Sequence, residues 1–143
     1  MNTPVNKPVY IVDDDALLRR SVHIWLAERD FEPRSFSGPI DFVEELPNLK
    51  PGCALIDVRM PELDGIELVR THSSALRHFA VIMMTGHGDI EMAVEAMKLG
   101  AVDFIEKPFT LNPLLSALEV ASTRLTNRLN MVHKTESAAR LIG

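Results

Sequence analysis

Short apolar runs alternate with longer amphipathic stretches five times along the chain, and few folds accept that order. The runs are Val9–Val12, Phe31–Phe36, Cys53–Ile56, Ala80–Met84 and Val102–Ile105. Four of them are almost continuously apolar, as strands buried on both faces of a sheet must be. The second contains Pro33, which lacks a ladder donor and suits an edge strand. Between the runs, apolar residues fall at helical spacing. Leu18, Val22, Trp25 and Leu26 mark a first helix, and Ile40, Val43 and Leu46 a short second one after Ser37-Gly38-Pro39. A third helix is expected over about 66–78. Asp89 is expected to cap a fourth, which Gly100 closes, and a fifth begins near Leu111 after Thr110.

Strand–helix alternation of this kind gives a parallel sheet covered on both faces. Right-handed crossovers and five strands select an α/β doubly wound sheet of order 2-1-3-4-5, because a closed barrel needs eight strands. In such sheets ligands bind beyond the carboxyl ends of the strands. There the first strand ends in Asp13-Asp14-Asp15, the third in Asp57, the fourth in Thr85 and the fifth in Glu106-Lys107. Each residue alone has a bland explanation as a cap, a turn or a surface charge. All of them at the same end of their strands point to one crevice. Crowded carboxylates repel one another and recruit a hard cation, Mg²⁺ or Mn²⁺. A carboxylate beside such a cation can act as a nucleophile toward phosphorus.

Asp13-Asp14, Asp57 within IDVRMP, Asp64-Gly65, Thr85-Gly86 and Lys107-Pro108-Phe109 resemble the receiver domain of two-component response regulators. The intervals agree as well: 43 residues from Asp14 to Asp57, 28 to Thr85 and 22 to Lys107. The resemblance spans about residues 8–125. It implies that Asp57 accepts a phosphoryl group from a sensor histidine kinase. It implies that Asp14 and Asp57 bind Mg²⁺ directly, Asp13 directly or through water, and Arg59 through its carbonyl. Thr85 and Phe104 become a switch pair, Lys107 pairs with the phosphoryl group, and Lys107-Pro108 is a cis bond. Arg59 and His87 stand where receivers vary and tune phosphoryl lifetime. His87 is expected to be an exposed loop residue. The resemblance implies slow self-catalysed phosphorylation and dephosphorylation rather than an enzyme. A phosphatase of haloacid-dehalogenase type is disfavoured, because Arg59 stands where it would carry a second Asp.

The rest of the chain suggests an appendage. Leu111, Leu115, Leu118, Ser122, Leu125, Leu129 and Val132 alternate spacings of four and three, a heptad stripe interrupted by Ser122. The expected division is a disordered 1–7, a receiver over 8–125 and a helical linker over 126–143. Leu118, Leu125, Leu129 and Val132 are expected to pair the chain with its own copy. Leu141-Ile142-Gly143 leans the resemblance toward NtrC-type regulators of C4-dicarboxylate transport, with a sigma-54-dependent ATPase output that controls transcription. The alternatives are a FixJ-type receiver or a stand-alone one. Residues 1–110 carry 11 Lys and Arg against 18 Asp and Glu, so direct nucleic-acid contact by this stretch is not expected. A single cysteine, no apolar stretch near the roughly 20 residues of a membrane span and no apolar leader fit a cytoplasmic chain.

Overall fold

The computed structural model describes residues 7–142, with side-chain surroundings described through Met131. Five parallel strands form one sheet in the order β2-β1-β3-β4-β5. They are β1 (Lys7–Val12), β2 (Phe31–Phe36), β3 (Gly52–Asp57), β4 (Phe79–Thr85) and β5 (Asp103–Glu106). Every residue of β3 and β4 is buried, as their continuous apolar sequences require. Pro33 sits in the edge strand β2, beside Val9 of β1. The expected disorder over 1–7 falls mostly on residues outside the described ones, but Lys7 is already in β1.

Five helices cover the faces: α1 (Ala16–Ala27), α2 (Pro39–Glu45), α3 (Gly65–Thr71), α4 (Ile90–Lys98) and α5 (Leu111–Ile142). Three expectations need correction. In α2 the buried positions are Pro39 and Phe42, with Leu46 buried in the 3₁₀ turn that follows, while Ile40 is 43% exposed. The third helix is not continuous to residue 78. It ends at Thr71, and a separate 3₁₀ turn covers Ala75–His78. The intervening His72-Ser73-Ser74 favours local side-chain bonding over a helix interior. Asp89 precedes α4 but makes no capping hydrogen bond.

Two apolar layers result. One, between the sheet and α2, α3 and α4, includes Phe42, Ile56, Leu68 and Met83. The other, beneath α1 and α5, includes Val22, Leu26, Ile82, Leu114, Leu118, Ala121 and Leu125. Leu118 and Leu125 are thus spent on the chain's own sheet, which corrects their expected availability to a second copy. The contact also runs past the expected boundary at 125. Leu129 packs against the same layer, and Arg128 Nη1 donates to the carbonyls of Arg77 (3.2 Å) and Phe79 (3.1 Å). Val132 lies beyond the described side chains. The backbone of α5 continues as one helix of 32 residues, about 48 Å long.

Candidate functional site

The site is built from strand ends. Asp13 follows β1 and is fully buried, and its amide donates to Phe36 O of the neighbouring strand (3.2 Å). Its Oδ1 accepts from the Asp15 amide (2.9 Å), and Arg19 Nη1 donates to its carbonyl (2.8 Å). Asp15 turns the chain into α1 by accepting from the amides of Leu17 and Leu18. Asp57 is the last residue of β3 and is 7% exposed. Its Oδ1 accepts from the Arg59 amide (3.1 Å). Lys107 enters from the far side of β4. Its Nζ stands 2.6 Å from Asp13 Oδ2 and 3.1 Å from Asp57 Oδ2. The contact with Asp13 Oδ2 is an ion contact without an aligned hydrogen bond.

The backbone around Asp57 is held tightly. Val58 donates to Met84 O and Gly65 to Val58 O. A Cβ on Gly65 would lie 2.5 Å from Asp57 O and 2.5 Å from Met83 Cε, so only glycine lets α3 begin so close to the acceptor strand. Asp64 caps α3 by accepting from the Glu67 amide (2.8 Å). Glu62, on the same loop, has a φ of 74°, unusual for a side chain larger than glycine.

Electrostatics follow from that crowding. Burial, and after it the Asp13 charge, push the Asp57 carboxyl up to about 6, against the opposing pull of Lys107. Burial works against the Lys107 ammonium, yet Asp13 and Asp57 outweigh it and hold the group above an ordinary lysine. Asp13, Asp14 and Asp57 each offer a carboxylate oxygen within 4.8 Å of the others. These are hard oxygen donors with excess negative charge, and Asp14 is exposed. Such a set fits Mg²⁺ or Mn²⁺ better than a soft metal.

Thr85 ends β4, fully buried, and its Oγ1 donates to Ile105 O (3.4 Å). Phe104 is half-buried against the layer containing Met83. The Lys107–Pro108 bond is cis. His87 is exposed. One feature had no signal in the sequence. Arg59 reaches across to Asp89, with Nε 2.8 Å and Nη2 2.7 Å from Asp89 Oδ1. Its guanidinium holds the Asp89 carboxyl below the ordinary carboxylate range.

Residues 9–119 match the response regulator receiver domain family. This chain belongs to that family. The receiver is 47% identical over 113 residues to the transcriptional regulatory protein FixJ of Bradyrhizobium diazoefficiens, covering 79% of this chain and 55% of that protein. Among solved structures, response regulator StyR matches with a TM-score of 0.86 at 34% identity, covering 95% of this chain and 69% of StyR. NtrX of Brucella abortus matches with a TM-score of 0.81 at 28% identity, covering 89% of this chain and 29% of NtrX. The receiver spans about half the length of the curated FixJ relatives it matches. Among the described residues no helix is long and apolar enough to cross a membrane.

Proposed function

We propose that this receiver is the phosphoryl-accepting module of a transcription regulator of the FixJ kind. The observation that carries the reading is Asp57. It is a buried carboxylate at the carboxyl end of the central strand, between two further carboxylates and a lysine ammonium. An Asp57 oxygen would attack the phosphorus of a phosphohistidine on a sensor kinase. The O–P bond forms, the P–N bond breaks, and the imidazole leaves. Attack by water on the acyl phosphate later returns the carboxylate and inorganic phosphate. The receiver is therefore a phosphoacceptor with slow self-hydrolysis rather than an enzyme that turns over an outside substrate.

Asp14 and Asp57, with Asp13 and the Arg59 carbonyl, would hold Mg²⁺, which would supply charge neutralisation for phosphoryl transfer. Lys107 would move from its carboxylate partners to a phosphoryl oxygen as a point charge. Thr85 would exchange the Ile105 carbonyl for the phosphoryl group, and Phe104 would turn inward behind it. The 3.4 Å length of the present Thr85 bond supports an easy exchange. Dimerisation switched by phosphorylation, and a cytoplasmic site of action, belong to the same proposal.

The FixJ kind is favoured over NtrC-type regulators of C4-dicarboxylate transport by the curated relatives, among which three FixJ proteins match at 40–47% identity. Nothing above supports a sigma-54-dependent output. The test is intact mass after incubation with acetyl phosphate and Mg²⁺. One phosphoryl group should be gained, and Asp57→Ala should abolish the gain. A gain that survives that substitution would overturn the proposal.

A further inference from the structure

The Arg59–Asp89 pair joins the two loops that carry Asp57 and Thr85. Asp89 is an unusual partner. It stands directly before α4, where a carboxylate would ordinarily accept from helix amides, yet it caps nothing. Its side chain is 7% exposed, and such a carboxylate needs compensation. Oδ1 takes Nε and Nη2 of Arg59 together, and Oδ2 takes only the Gly86 amide, at 3.3 Å. The guanidinium is 69% exposed, so water can replace Asp89 on the arginine side. Water cannot do so as readily on the aspartate side. The arginine is also rooted at the acceptor, because its own amide donates to Asp57 Oδ1 (3.1 Å).

The geometry points to Asp89 as a positioning residue that parks the Arg59 guanidinium away from Asp57 and releases it to a phosphoryl group there. The inference rests on the phosphoacceptor reading and adds a competition to it. Phosphorylation turns an Asp57 side chain of one negative charge into an acyl phosphate of nearly two, with more acceptor oxygens. A guanidinium matches that geometry well. When Arg59 moves over, Asp89 keeps only its Gly86 contact and is left a buried, poorly paired anion. The segment between Thr85 and α4 must then open or admit water. Asp89 thereby sets a threshold for phosphoryl binding and couples that binding to the start of α4. By reciprocity, a change that loosens this start favours phosphoryl binding.

The probe is beryllofluoride with Mg²⁺, a phosphoryl mimic, titrated into the chain and followed by fluorine NMR. Asp89→Asn keeps the shape and removes the charge that holds Arg59. It should raise beryllofluoride affinity about two- to fivefold, the range of an ion pair with one exposed partner removed from the competing state. In an Arg59→Ala background the same substitution should change nothing. In the unsubstituted chain, the Arg59 Nε–H resonance should shift on saturation and lose its contact with Asp89, a measurement that needs no variant to fold. Unchanged affinity in Asp89→Asn would overturn the inference. So would an equal gain in both backgrounds, or an Nε–H that stays bonded to Asp89 at saturation. If the unsubstituted chain takes up neither beryllofluoride nor phosphoryl from acetyl phosphate, the phosphoacceptor reading falls and this inference with it. Normal uptake without the arginine-dependent gain removes the inference alone.

Discussion

Replacing Asp57 with Asn should make the receiver more stable at neutral pH, although it removes the phosphoacceptor. Asp57 is buried beside Asp13, and its carboxyl is pushed up from 3.8 to about 6. Below pH 3.8 the group is protonated in both folded and unfolded chains and costs nothing. Between 3.8 and 6 the unfolded chain has released its proton and the folded one has not, so stability falls as pH rises. Above 6 the full penalty is present. At 1.36 kcal/mol per unit the ceiling is about 3 kcal/mol, and solvent screening brings the expected gain to about 1–3 kcal/mol. Urea unfolding in EDTA at pH 7.5 reads this directly. With a slope near 2 kcal/mol/M, the Asn variant should unfold about 0.5–1.5 M later. The gain should vanish near pH 4. It should also shrink with Mg²⁺, which would bind and stabilise the parent more than the variant. A variant no more stable than the parent at pH 7.5, or a gain of equal size at pH 4, would refute the reasoning.

Lys107→Ala should slow phosphorylation by acetyl phosphate about a hundredfold in a single-turnover assay, because a positioned charge at the phosphoryl group is lost. Gly65→Ala should cost about 2–3 kcal/mol in urea unfolding, since its Cβ must displace Asp57 O and Met83 Cε. Arg128→Ala leaves the Arg77 and Phe79 carbonyls short of a donor. It should lower stability by about 1–2 kcal/mol and speed amide exchange around residue 129.

The sheet was legible in the sequence because strands buried on both faces leave no room for polar residues, and because Pro33 marks an edge. The site was legible because its residues sit at strand ends, where topology decides what meets. Asp89 was misread because a carboxylate before a helix looks like a cap, and nothing local reveals an arginine 30 residues upstream. Leu118 and Leu125 were misassigned for a similar reason. Alternating spacings of three and four reward a helix for lying on its own sheet as much as on a partner, and here the sheet has them. Ile40 and Phe42 differ by two positions in a helix of seven residues, too short for periodicity to fix which face turns inward.

The arginine that fastens α5 has a mechanical consequence. Arg128 grips Phe79 O, the first carbonyl of β4, and the last residue of that same wholly buried strand is Thr85. Acceptor chemistry and helix anchorage therefore occupy opposite ends of one stiff rod. A helix packed on the sheet through Leu114, Leu118 and Leu125 and fastened again at Arg128 has no free pivot, so that part of α5 should keep its heading while loops at the acceptor end rearrange. Whatever follows the helix would sense an altered surface rather than a stroke.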